Sequence, residues 1–303
     1  MTQLRTHDHL TRFLLAQAGI RGVHVRLTDT WRQIRGRADV PESVSALLGE
    51  AVAAAALFTG HAKIDGRLSI QFRGEGALRT LFAECTAAGT LRGIARLADG
   101  ADAPKPGTAL RALGEGALLA ITIENPGARG QEPARYQGLV GLDADTLSVA
   151  FQDYFRQSEQ LPTRILLAAD EDGVAGLMLQ KLPGDEGDAD GWDRANALFD
   201  TLGTGELLTT PADTLLHRLF HEESAHTVGG KSLRFACSCS RERVSAMLES
   251  LGEEEAVAAA TGNDGIAEIR CEFCGETYRY PEGEIRDLFR TRPWQAAGSD
   301  RIQ

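Results

Sequence analysis

Four of the five cysteines fall into two tight pairs, Cys237-Ser238-Cys239 and Cys271-Glu272-Phe273-Cys274, with 31 residues between them. Each pair can direct two sulfurs at one soft cation. Together they complete the tetrahedral thiolate shell that zinc prefers, with Zn–S near ~2.3 Å. The spacing therefore predicts one Zn2+ per chain on Cys237, Cys239, Cys271 and Cys274.

Three kinds of chemistry compete for these sulfurs. One is a static structural zinc. A thioredoxin-like Cys-x-x-Cys is the second, but it leaves Cys237 and Cys239 unexplained and puts Cys271 directly after Arg270 among acidic residues. The third is a switch. Zinc ties two distant stretches of chain together, and its binding contributes roughly 10 to 16 kcal/mol of folding free energy in small modules. Oxidation within each pair would replace that long-range tie by local closures, which constrain only a few residues. Topology favours this third reading over the other two.

Other patterns fail on spacing. In His221-Glu222-Glu223-Ser224-Ala225-His226 the histidines stand five apart, whereas a zinc-protease helix needs four. His217 and His221 are four apart but lack the Glu that should follow the first, and read as helix-surface residues. Gly230-Lys231-Ser232 would need its leading glycine where Ala225 stands, and Gly74-Glu75-Gly76 lacks the downstream glycine of a dinucleotide fingerprint. No nucleophile triad or carboxylate pair is visible, so the chain is not expected to be an enzyme.

The elements that must position the cysteines are readable around them. Ser240 is placed to cap a helix through Val244, Met247, Leu248 and Leu251, and Glu253, Glu254 and Glu255 open a second, alanine-rich helix. Residues 266–270 and 277–280 flank the second pair like hairpin arms. A module of roughly 60 residues has a marginal core, and metal commonly supplies the missing stability.

Upstream, Val44, Leu47, Leu48, Ala51, Val52 and Ala55 recur at helical spacing between Pro41, at a first helical position, and Gly60. A second helix is predicted through Leu147, Phe151, Tyr154 and Phe155 after an acidic start at Asp143 and Asp145. Period-two runs at Leu68, Ile70, Phe72, at Leu119, Ile121, Ile123, at Val140, Leu142 and at Ala175, Leu177, Leu179 predict strands, and their glycine-marked turns suit antiparallel neighbours.

The fold class expected is α+β. It comprises a core domain over 1–183 with an antiparallel sheet and packed helices, a mostly helical linker over 184–232, a four-cysteine zinc domain over 233–290 and a tail over 291–303. The linker opens in an acidic, glycine-rich stretch and then carries an apolar face through Leu215, Leu216, Leu219 and Phe220 that must dock on something.

Composition narrows the function. The 303 residues carry 32 basic and 43 acidic side chains, a net charge of -11, the wrong sign for a protein that mainly binds phosphate backbones. A zinc-module regulator that binds nucleic acid is the alternative this disfavours. No signal-like start and no run of ~18 uninterrupted apolar residues is present, so the expectation is a cytoplasmic protein without a membrane partner. Few cysteines in such a compartment point to metal or redox chemistry rather than a disulfide framework. Cys85, in an apolar setting, reads as an inert half-buried thiol.

With those residues in view, the chain resembles the redox-regulated 33 kDa heat-shock chaperone family of bacteria. The resemblance rests on Cys-Ser-Cys-Ser-Arg-Glu-Arg at 237–243 and Cys-Glu-Phe-Cys-Gly at 271–275. It extends to Arg-Tyr-Gln-Gly-Leu-Val-Gly-Leu at 135–142, Tyr154-Phe155, Ser-Glu-Gln-Leu-Pro-Thr-Arg at 158–164 and Glu206-Leu207-Leu208, and so spans nearly the whole chain. It implies an ATP-independent holdase, dormant when reduced and zinc-bound. It also implies disulfides pairing Cys237 with Cys239 and Cys271 with Cys274, zinc release on oxidation, dimers in the oxidised state and capture of unfolded client proteins. The apolar face at Leu215, Leu216, Leu219 and Phe220 fits such a concealed surface, and buried helix packing accounts for it equally well. One departure is Ala175, where the family pattern leads one to expect glycine.

Overall fold

The computed structural model describes residues 8–62, 64–113, 116–127, 132–184, 188–261 and 264–290. The tail expected over 291–303 and residues 185–187 of the acidic stretch lie outside the described residues. The chain forms two compact units that divide between Ala236 and Cys237.

The first unit is built on two sheets. In chain order its elements are β1 (His9–Leu15), β2 (Ile20–Leu27), α1 (Asp29–Arg35), α2 (Glu42–His61), β3 (Arg67–Arg73), β4 (Leu78–Thr86), β5 (Thr90–Leu97), β6 (Leu118–Asn125) and β7 (Ala134–Val140). They continue with α3 (Leu147–Tyr154), β8 (Thr163–Ala169), β9 (Val174–Lys181), α4 (Gly191–Phe199), α5 (Thr204–Thr209), α6 (Ala212–Phe220), β10 (Ala225–Ser232) and β11 (Arg234–Phe235). One sheet runs β10-β1-β2-β9-β8 and the other β11-β5-β4-β3-β6-β7. All pairings are antiparallel except the two-residue β11 against β5. The α+β class with antiparallel sheets is thus what the chain adopts.

Between them α2 is apolar on nearly every side and buries residues from Val44 to Phe58 in one core with Val25, Leu68, Ile70, Phe151 and Met178. A helix hydrophobic all round belongs in a protein core or a membrane. Among the described residues α2 is the one helix long and apolar enough to cross a membrane by length and composition, and 67% of its apolar window is buried inside this fold. Pro41 stands at its N-cap, one residue ahead of the first helical position expected. The second helix starts later than its acidic prelude: Thr146 caps α3, its side chain accepting from the Val149 amide at 3.3 Å.

The second core explains the linker. Leu215, Leu216, Leu219 and Phe220 on α6 pack with Leu202 and Leu207 against Phe13, Leu15, Ile20, Leu177 and Leu179, the face of the five-stranded sheet turned away from α2. Phe220 stacks on Phe13 with ring centroids 6.2 Å apart. Phe13 can lie flat there because its strand partner is Gly22; a Cβ on Gly22 would stand 2.1 Å from the Phe13 ring.

Several elements depart from the expectation. Residues 225–232 form β10, an edge strand on β1, where a helical linker was predicted to end. β1, β2, β4, β5 and β8 were not foreseen, and Leu142 lies beyond the end of β7. Cys85 on β4 is fully buried rather than half-buried, and burial pushes its thiol up to about 12. β9 forms with alanine at 175.

The second unit contains α7 (Arg241–Leu251), α8 (Glu253–Thr261), β12 (Ile266–Arg270), β13 (Thr277–Pro281) and α9 (Glu282–Arg290). Its core is small: Val244, Leu248, Ala256, Ala260, Ala267, Tyr280 and Ile285. The Tyr280 hydroxyl donates to the Arg241 carbonyl at 2.8 Å, and the Arg241 guanidinium lies 4.3 Å over the Tyr280 ring while pairing with Glu284 at 2.7 Å.

Candidate metal centre

Two local structures carry the sulfurs. Cys237 and Cys239 sit in the extended segment that leads into α7, whose first turn is closed by the Ser240 hydroxyl accepting from the Arg243 amide at 3.3 Å. The Arg243 guanidinium reaches back to the Ser238 carbonyl at 2.8 Å and holds the spacer residue between the two thiols. Cys271 and Cys274 sit on the turn that joins β12 to β13. There the Cys271 amide donates to the Glu276 carbonyl and the Gly275 amide to the Cys271 carbonyl, both at 2.8 Å. Gly275 has φ 77°, a left-handed conformation that glycine adopts without the Cβ penalty.

These two loops bring all four sulfurs within 4.8 Å of one another. The near approaches run between the pairs: Cys237 Sγ to Cys271 Sγ is 3.6 Å and Cys239 Sγ to Cys274 Sγ is 3.3 Å. A tetrahedral zinc–thiolate shell has sulfurs ~3.8 Å apart, so the set fits a metal of that class after small adjustments. All four are half-buried and free of disulfides. Burial comes first among the causes that raise the Cys274 thiol, with the neighbouring sulfurs adding to it. A cation among the four sulfurs would favour the thiolate form, and thiol protons are released when a metal binds such a set.

Tyr278 was not among the residues singled out from the sequence. Its hydroxyl donates to Cys239 Sγ at 3.2 Å, a contact of the kind that orients and tunes a metal ligand. An aromatic hydroxyl four residues beyond Cys274 on a predicted hairpin arm was the available signal. The discarded patterns stay discarded. His221 caps α6 while His226 lies on β10, Gly230-Lys231-Ser232 lies within β10, and the His217 and His221 rings stand 5.4 Å apart on the exposed side of α6. Among the described residues the four cysteines are the one cluster suited to a metal.

The family model for Hsp33 protein matches residues 8–281. The chain belongs to the Hsp33 family. It is 40% identical over 283 residues to the 33 kDa chaperonin of Chromobacterium violaceum, covering 93% of this chain and 94% of that one. It is 41% identical over 285 residues to the 33 kDa chaperonin of Hahella chejuensis, covering 93% and 97%. A solved structure of a 33 kDa chaperonin from Thermotoga maritima superposes with a TM-score of 0.73 at 21% identity, over 94% of this chain and 98% of that chain, and shares its fold. Hsp33 membership supports a chaperone function that acts on other proteins, and the relatives carry the names of chaperonins rather than of enzymes.

Proposed function

We propose that this Hsp33 protein is an ATP-independent holdase, dormant while Cys237, Cys239, Cys271 and Cys274 hold zinc and activated when an oxidant closes them into disulfides. The observation that carries the reading is the gathering of two sequence-distant thiol pairs within 4.8 Å. When bound, zinc would supply metal–thiolate bonds that cross-link the segment before α7 to the β12–β13 turn.

The chain's own residues perform the switch. The thiolates of Cys237 and Cys239, and those of Cys271 and Cys274, would each give two electrons to one molecule of a peroxide-class oxidant, which takes two protons from solvent and leaves as water as the disulfide forms. A disulfide sulfur is no longer an anionic donor. The two closures are local, so no cross-link then joins the loops, and among the described residues a core of seven buried side chains with partly buried neighbours must hold the second unit. The apolar face of α6, Leu215, Leu216, Leu219 and Phe220, is the surface we assign to clients once α4–α6 loosen from the sheet, with a homodimer as the oxidised species. The location proposed is the cytoplasm, with no membrane or nucleic acid as principal partner.

The test follows zinc release and suppression of client aggregation together, with and without peroxide and mild heat. Activity should appear only as zinc leaves. Equal activity of the reduced, zinc-loaded protein would sink the switch.

A further inference from the structure

A cavity of about 500 Å³ opens at the C-terminal end of α2, on the side of the five-stranded sheet that faces this helix. Strand register brings three cations to it. Leu10 pairs with Val25 of β2 and with Lys231 of β10, Arg12 with Val23, and Leu14 with Arg21. Directly opposed residues share a face, so Arg12, Arg21 and Lys231 all stand on the cavity side. All three line it.

Among the described residues no carboxylate pairs with these cations. Arg21 is half-buried and is held by uncharged partners: Nε donates to Gln180 Oε1 at 3.2 Å and Nη2 to His61 Nε2 at 2.9 Å. Gln180 is in turn fixed by donating to the Thr163 hydroxyl at 3.0 Å. A guanidinium can only donate, so His61 accepts and is neutral. Burial, with the Arg21 charge second, lowers its pKa to about 3. Lys231 Nζ donates to the Ala87 carbonyl, and Arg12 has neither a hydrogen bond nor a carboxylate partner among the described residues. Among the described residues the one acid at the cavity is the exposed Asp65. The carbonyl end of α2 adds about half a negative charge. Three like charges gathered on one sheet face destabilise it unless something offsets them, and in a chain of net charge -11 this concentration stands out.

We propose that this cavity is a binding site for a small multivalent phosphate-bearing anion, gripped by Arg12, Arg21 and Lys231. Guanidinium forks match phosphate oxygens in pairs, and Lys231 adds a point charge at the rim. The volume exceeds what inorganic phosphate fills, and Leu10, Leu14 and Val23 offer an apolar wall to an organic group. The site lies in the first unit and is independent of the switch proposed above.

The experiment is calorimetric titration of the full-length, reduced, zinc-loaded protein with inorganic pyrophosphate and, separately, with ADP at low ionic strength. One site per chain with a Kd below about 1 mM is expected for at least one probe. Tighter binding of ADP identifies an organic phosphate, and tighter binding of pyrophosphate an inorganic one; either supports the site. The variant Arg12→Glu/Lys231→Glu alters two exposed side chains and should keep the fold while weakening binding roughly tenfold or more. Arg156→Glu, on the turn after α3, should leave affinity unchanged. Absence of binding to both probes, or unchanged affinity in the double variant, overturns the proposal. The second result is also what zinc chelation by the probes would produce.

Discussion

The Tyr278 hydroxyl donates to Cys239 Sγ at 3.2 Å and so takes part of the charge a thiolate there would carry. Contacts of this kind are worth roughly 10- to 100-fold in metal affinity. Tyr278→Phe should therefore bind zinc about tenfold more weakly, measured by competition with a chromophoric chelator, and should oxidise faster. Cys239→Ser should lose more, because it removes a donor outright. Cys85 behaves in the opposite way. Its sulfur is fully buried on β4, and burial pushes its pKa from an ordinary 9.0 up to about 12. An acid whose folded pKa is raised favours folding below pH 9 and loses that contribution as pH rises from 9 towards 12. Thiol alkylation at neutral pH should label four cysteines in the native, metal-stripped protein and the fifth only on unfolding. Labelling of all five at equal rates would contradict the burial.

Phe220 joins α6 to the sheet through its stack on Phe13, and Phe13 depends on the missing side chain at Gly22. Phe220→Ala should cost about 3 to 5 kcal/mol by denaturant unfolding. It should also increase binding of an apolar dye in the reduced state, since the face it anchors would loosen. On β2, His24 is buried with Nε2 unpaired, and burial, then the Arg26 and His9 charges, lowers its pKa from 6.5 to about 4. A depressed pKa means full stability above pH 6.5 and progressive loss as pH falls through 4. Thermal melts across that window should show this slope, and His24→Gln should flatten it whatever its effect at pH 7. These elements also show what the sequence could reveal. The α2 run and the β3, β6 and β9 strands were plain because their apolar residues recur with the period of the element; burial follows that period in β3, while β9 and most of α2 are buried on all sides. β4 carries a register shift between Leu78 and Thr80 that breaks its period. β10 reads Ala-His-Thr-Val-Gly-Gly-Lys-Ser and is mostly exposed, so backbone pairing to β1 holds it and no side-chain pattern announces it. The cluster of four sulfurs needed only spacing; Tyr278 needed the register of β13, and the Arg12, Arg21 and Lys231 cluster needed three strands distant in sequence.

Across the whole chain, the charge of -11 opposes long contact with phosphate backbones. The protein is expected to show no salt-sensitive binding of DNA or RNA at near-physiological ionic strength, measured by fluorescence anisotropy; such binding would revive the regulator reading. The five-stranded sheet carries a different consequence. Its first strand, His9–Leu15, is covered on one edge by Ala225–Ser232, and its second, Ile20–Leu27, takes Val174–Lys181 as neighbour. At about 5 to 20 residues per second of synthesis, roughly 10 to 40 s separate the emergence of β1 from that of its last partner. During that interval the newborn β1–β2 hairpin presents an open edge and the apolar faces of Phe13 and Ile20 to the ribosome's surroundings. A member of a chaperone family thus passes through an interval in which its own first strands lack their partners.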